Sequence, residues 1–286
     1  MRTAAFMAAL LFAWLPVSLT AAGGPELLAV SDTTLARPHD LVVSDDGRWL
    51  YVADMENDLV RVLDANTLSS IGEIGRGELR SPHDVTFDEW RRLLVADSGN
   101  NRIAIYRVEG AHGEYEGDLR GPLSSPEGVT VARDGRVFVT NAGTGSIVVF
   151  EGKRVAMNRA DLGLRRPHDI EIHRNNTVYV ADSGNHRILV LDLDLKPLRE
   201  LRGPVYRFDE PKYLAFDDRD WLYVADEDNH QVRVFLNEVQ PMAVIGSGRA
   251  GGGSNQLRKP EGVTTRGNRV WIADTYNNRV VLYRLP

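Results

Sequence analysis

A proline recurs at Pro38, Pro82, Pro126, Pro167, Pro211 and Pro260, at intervals of 44, 44, 41, 44 and 49 residues. A second landmark follows each proline by 14 to 16 residues: Asp54, Asp97, Asn141, Asp182, Asp226 and Asp274. A unit this short cannot bury a core alone. Its copies must stack, which restricts the chain to solenoids, propellers and similar arrays. Both landmarks shift together, so extra residues fall between units rather than inside them.

Within a unit the pattern is that of strands. In the first, Leu41-Val42-Val43 precedes Asp45-Asp46-Gly47, then come Trp49–Ala53, a polar turn, Val60–Leu63 and Ser70–Ile74. Short runs rich in β-branched residues, separated by Asp-Gly and Ser-Gly-Asn breaks, favour strand over helix. Four antiparallel strands repeated six times predict an all-β, six-bladed β-propeller around a central channel. The sixth unit stops at Pro286 after three strands. Glu26–Val30, ahead of the first unit, is expected to supply the missing outer strand and close the ring.

Residues 1–22 read differently from the rest. Met1-Arg2, an apolar run from Ala4 to Leu19 and the small residues Thr20-Ala21-Ala22 have the layout of a secretory signal peptide cleaved after Ala22. Residues 23–286 are then a single propeller domain, expected in an extracytoplasmic (periplasmic or secreted) compartment. No second apolar segment approaches spanning length, so no membrane span is expected in the mature chain. The chain has no cysteine, which excludes a disulfide framework, and its formal net charge of −6 gives no basic stripe for nucleic acid.

Two kinds of position repeat around the ring. The Asp-x-x-Asn-x-Arg turns at Asp97–Arg102, Asp182–Arg187 and Asp274–Arg279 keep their residues, as turn-fixing side chains do. The position after each proline varies instead: His39, His83, Glu127, His168, Lys212 and Glu261. Every choice is ionisable, and each opens the innermost strand, so six such groups project towards one axis. Imidazoles and carboxylates are the usual ligands of zinc and similar divalent ions. The next residue is Asp40, Asp84 or Asp169 after a histidine, and Gly128, Tyr213 or Gly262 otherwise. Because neighbours on a strand face opposite ways, these aspartates are expected to bond backbone within their own blade, or else to orient the histidines. The other histidines, His112, His173, His186 and His230, are expected at the surface.

The stretches SPHDVTFDEWRRLLVADSGNNRIAIY, RPHDIEIHRNNTVYVADSGNHRILVL and KPEGVTTRGNRVWIADTYNNRVVLY resemble NHL repeats. That resemblance spans the mature chain and implies a six-bladed propeller. Within the group, the Pro-His-Asp turns resemble peptidyl-α-hydroxyglycine amidating lyase. What this implies is a catalytic zinc on His39, His83 and His168, a calcium contact at Asp40, and a tyrosine in N–C bond cleavage at Tyr276. In that family the zinc histidines come from alternate blades, whereas these come from blades one, two and four.

Two functions follow as expectations. One is a metal-assisted lyase or hydrolase acting on a small molecule or peptide in the channel, with Glu127, Lys212 or Tyr276 moving protons. The other is a non-catalytic platform for a protein, peptide or glycan on one propeller face. The glycines of Gly246–Gly251 match a dinucleotide-loop spacing but precede no helix, so they are expected to be a loop.

Overall fold

The computed structural model describes residues 23–32 and 34–286, so the leader expected over 1–22 lies outside the described residues. Strand β1 (Glu26–Val30) comes first. Blade one follows as β2 (Pro38–Val43), β3 (Trp49–Asp54), β4 (Leu59–Asp64) and β5 (Ser70–Ile74). Blades two to five run from β6 (Pro82–Phe87) to β9 (His112–Leu119), β10 (Pro126–Val131) to β13 (Arg154–Arg159), β14 (Pro167–Ile172) to β17 (Pro197–Leu201), and β18 (Pro211–Phe216) to β21 (Gln240–Ile245). Blade six is β22 (Val263–Arg266), β23 (Arg269–Asp274) and β24 (Arg279–Arg284), with β1 as its outer strand. The antiparallel β1–β24 pairing joins the two ends of the propeller, as expected, and leaves no unpaired seam. Among the described residues no helix is long and apolar enough to cross a membrane.

The second and third strands of each blade are buried on both sides. In β3 the run Leu50-Tyr51-Val52-Ala53 is at most 2% exposed, and in β15 (Val178–Asp182) all five residues are buried. Their side chains alternate between the two neighbouring blades, so the core is distributed as six apolar clusters, one at each blade-to-blade junction. Each fully buried Val or Leu stabilises this stacking by about 1.5–3 kcal/mol.

Polar stitches fix the turns. Asp54, Asp97, Asp182, Asp226 and Asp274 are fully buried. Each accepts the backbone N–H of the residue two places before the proline of its own unit, at 2.6–2.7 Å. The second carboxylate oxygen takes Asn57, Asn100, Asn185, Asn229 or Asn277 at 2.8 Å. These aspartates carry the fold. Blades are also tied to one another: Asn101 accepts the N–H of Ser125, and His186 and His230 accept those of Glu210 and Lys259 through Nδ1. His186 and His230 therefore join blades rather than merely decorate the surface. His173 is half-buried between Tyr179 and Phe216, with Nε2 2.8 Å from Asp220.

Candidate metal centre in the central channel

The inner strands do not alternate evenly. Between Pro38 and Leu41 in β2, three steps along the strand pair with two on β3, and the same shift recurs at Pro82–Val85, Pro167–Ile170 and Pro211–Leu214. A bulge of this kind places two successive residues opposite one partner and turns both towards the same side. The residue after each proline and the one following it thus both serve the channel, and they form two tiers.

The first tier holds His39, His83, Glu127, His168, Lys212 and Glu261. His39 and His168, from opposite blades, face each other with parallel rings 6.0 Å apart. Glu261 reaches between them, 2.9 Å from His39 Nδ1 and 3.7 Å from His168 Nε2. One donor atom from each of these three buried residues lies within 4.8 Å of the others. Both nitrogens of His39 and Nδ1 of His168 are buried without a hydrogen bond; the close His39–Glu261 approach is out of line for one. Orphaned imidazole nitrogens beside a carboxylate are a costly arrangement unless something binds them. Two histidines and a glutamate also match a common catalytic zinc donor set. The residues fit a divalent ion.

The remaining members are arranged around this trio. The His83 ring stands 4.5 Å from that of His39, with Nδ1 2.8 Å from the carbonyl oxygen of Ser81. A carbonyl only accepts, so Nδ1 carries the proton and Nε2 keeps its lone pair. Burial pushes His83 down to about 3 and holds His168 well below the usual histidine range, so both are neutral. Glu127 lies 3.1 Å from His168 Nε2 and is pushed up to about 7 by burial, against the pull of Lys212 and His39. For Glu261 burial works upward, but His39 and Lys212 outweigh it and hold the carboxylate below its ordinary value. Lys212 pairs with Glu227 at 3.2 Å and Glu210 at 3.5 Å; burial lowers its affinity for the proton, yet Glu227 and Glu261 more than restore it.

The second tier is acidic. Asp40, Asp84 and Asp169 are all at most 8% exposed and, with Glu171, line a cavity of about 140 Å³. Burial and mutual repulsion push all three aspartates well above the usual carboxylate range. Their hydrogen bonds reach beyond their own blades. Asp84 accepts the N–H of Val129 at 2.6 Å and Asp169, through Oδ2, that of Leu214 at 2.8 Å, so each braces the inner strand of the following blade, while Asp169 Oδ1 takes the N–H of Ile170 on its own strand at 2.6 Å, as expected. The bulge is what turns them outward from their own strand. Asp40 therefore sits with Asp84 and Asp169, in a different tier from the His39–His168–Glu261 trio.

Tyr213 separates the tiers. Its ring, from blade five, packs edge-on against His168 at 5.0 Å, and its hydroxyl crosses the axis to donate to the carbonyl of His83 at 2.9 Å. Where the tier position is glycine, backbone fills the space: a Cβ on Gly262 would lie 2.2 Å from the carbonyl oxygen of His39. Tyr276 stands apart, half-buried at the mouth, with the Arg37 guanidinium 4.3 Å above its ring and Lys259 5.3 Å away. Glu261 and Tyr213 were the residues least visible to a reading by residue type. Both occupy the expected ring positions, and reading the ring by place in space finds them.

Comparison with known proteins agrees with this architecture. The NHL repeat family matches residues 79–106, 164–191 and 257–283, and the LVIVD repeat family matches residues 39–77. NHL repeat-containing protein 2 of Bos taurus is 28% identical over 195 residues, which is 60% of this chain and 23% of that protein. The chain thus spans less than a quarter of the length of the curated relatives it matches. Among solved structures, virginiamycin B lyase from Staphylococcus aureus superposes with a TM-score of 0.64 at 13% identity, over 92% of this chain and 98% of that one. A gluconolactonase from Xanthomonas campestris superposes with a TM-score of 0.68 at 16% identity, over 88% and 87%. At such identities the likeness establishes the shared fold.

Proposed function

Given that this chain is a six-bladed β-propeller built of NHL repeats, we propose that it is an extracytoplasmic, metal-dependent enzyme of the lyase or hydrolase type, working from the first tier of its channel. The observation that carries this reading is the convergence of His39, His168 and Glu261 with three buried, unpartnered imidazole nitrogens. A zinc or similar ion held there would act as a Lewis acid and ease deprotonation of a bound water or substrate hydroxyl. His83, its Nδ1 fixed on Ser81, presents Nε2 either to the ion or to a substrate proton. Glu127 supplies a carboxyl next to His168 that can take or give a proton, and Lys212 keeps its charge beside it. Tyr213 closes the channel beneath, so substrate enters from the mouth lined by Arg37, Lys259 and Tyr276. A calcium contact at Asp40 would belong to the separate acidic tier.

A second reading rests on a different feature of the same tier. The His39–Glu261 and His168–Glu127 approaches can act as ion pairs that fill the channel without a metal, leaving a non-catalytic platform for a protein, peptide or glycan. Metal analysis by mass spectrometry separates the two. Chelator-free, tag-free protein should carry about one divalent ion per chain, lost in a His39→Ala/His168→Ala/Glu261→Gln variant that still folds. Absence of bound metal after zinc is added back would leave the platform reading.

A further inference from the structure

The turns at the other end of the inner strands, β2–β3, β18–β19 (Trp221–Asp226) and β22–β23, form the propeller face away from the first tier. In blades three and five these turns neutralise themselves: Arg136 pairs with Asp134 and Arg219 with Asp217 at 2.8 Å, and in blade two Arg92 pairs with Asp88 at 2.7 Å. The blade-four turn has no acid of its own and pairs Arg174 with Asp220 of blade five, whereas the arginines of the blade-one and blade-six turns have no such partner among the described residues. Asp46 Oδ1 accepts Ser44 Oγ at 2.6 Å and the N–H of Arg48, while the Arg48 guanidinium lies over Trp49. The sixth turn, Arg266-Gly267-Asn268-Arg269, contains no acid.

Between these two turns lies a groove of about 630 Å³ whose walls carry three arginines, Arg48, Arg266 and Arg269, against two carboxylates, Asp46 and Asp218, with Asn66 and Asn268. Among the described residues no carboxylate oxygen lies within 4.0 Å of any of the three guanidinium groups, although most arginines of this acidic chain are paired. Gly47 lets the two sides approach. Its φ is +71°, and a Cβ there would stand 2.8 Å from Arg266 Nε. Arg269 is held by Asn66 of blade one. The groove thus spans the seam where the ring closes, and its volume is that of a small-molecule site.

We propose that this seam groove binds a hydroxylated anion, a sugar phosphate or a sugar carboxylate. Arg48 and Arg266 grip the oxyanion, since a guanidinium fork matches two oxygens of a phosphate or carboxylate. Asn268 and Asp218 take the hydroxyls. The site is independent of the metal reading, because it shares no residue with the first tier.

Isothermal titration of the full chain at low ionic strength tests it, with glucose 6-phosphate, glucuronate, inorganic phosphate and glucose as probes. Saturable binding of glucose 6-phosphate or glucuronate is expected, with weaker binding of inorganic phosphate and none of glucose. Arg48→Ala/Arg266→Ala, at two exposed positions, should weaken it about tenfold or more, and Gly47→Ala should weaken it by displacing Arg266. Circular dichroism confirms that each variant keeps its fold. The proposal is overturned if neither sugar anion saturates below about 10 mM, or if the double variant binds unchanged. Inorganic phosphate binding as tightly as glucose 6-phosphate would overturn the sugar assignment.

Discussion

The hydroxyl of Tyr213, on the fifth blade, donates across the channel to the backbone carbonyl of His83 on the second, at 2.9 Å. This bond fixes the strand that carries His83, while the tyrosine ring supports His168 from below. Removing the hydroxyl in Tyr213→Phe leaves the carbonyl short of a partner and should cost about 1–3 kcal/mol in chemical denaturation. As an outer support of the proposed metal donors, the change should also weaken cobalt(II) affinity about tenfold, with a changed visible spectrum. A Phe variant with normal cobalt binding would make Tyr213 a plug and nothing more.

Glu261 stands between His39 and His168 as the carboxylate of the proposed donor set. Glu261→Gln should therefore lower zinc affinity as strongly as His39→Ala does, about tenfold or more, whereas Asp40→Asn should leave it nearly unchanged. Competition with a chromogenic chelator gives the ranking. If Asp40→Asn proved the more damaging change, the metal would have to sit in the acidic tier.

Gly262 tolerates no side chain. Its added Cβ would press to 2.2 Å from the His39 carbonyl oxygen and 2.9 Å from Asp40 Cα, both of them backbone. Neither can swing aside, so Gly262→Ala should cost about 1–3 kcal/mol, the usual range for overpacking. Thermal melts measure this directly, and the variant should lose metal along with stability because His39 must move.

A pH dependence is built into the fifth blade. In blades two, four and six the buried turn aspartate is paired with Arg102, Arg187 or Arg279 at 2.6–2.7 Å, but Asp226 faces Gln231 in the register. Burial pushes Asp226 up to about 6, outweighing its hydrogen bonds from the Asp209 N–H and Asn229 and the pull of Arg233. A carboxyl raised in the folded state binds its proton more tightly there than in the unfolded chain. Its stabilising contribution is therefore complete below the unfolded value of about 4 and is lost as pH rises through 6. Denaturant midpoints should fall between about pH 4 and 7, a slope to which the raised Glu127 and Glu171 also contribute, and Gln231→Arg should reduce that slope and raise stability at neutral pH by about 1–2 kcal/mol. An unchanged slope in Gln231→Arg would show that Asp226 is not its source.

Much of this architecture is legible in the repeat itself. The six prolines and the turn aspartates announce the blades, the ring closure by Glu26–Val30 follows from a sixth unit one strand short, and the ionisable position after each proline marks the channel. Strict alternation along a strand, however, predicts that Asp40, Asp84 and Asp169 turn back into their own blades. A bulge at each Pro-His-Asp also aims Asp84 and Asp169 at the following blade, although Asp169 keeps one oxygen on Ile170 of its own strand, and no residue type in the motif signals the bulge.

The sequence by itself determined the fold, because period, strand length and turn chemistry are local properties that repeat. Tertiary structure alone decided which channel groups meet. His39, His168 and Glu261 are separated by up to 222 residues yet share one donor cluster, since opposite blades face each other across a narrow axis and the last blade abuts the first. His83, which shares the Pro-His-Asp motif of His39 and His168, keeps its ring 4.5 Å from His39 but commits Nδ1 to Ser81, and Asp40 is carried to the other tier by the bulge beneath it. Distance through space, not kinship of residue type, sets which groups can hold one ion.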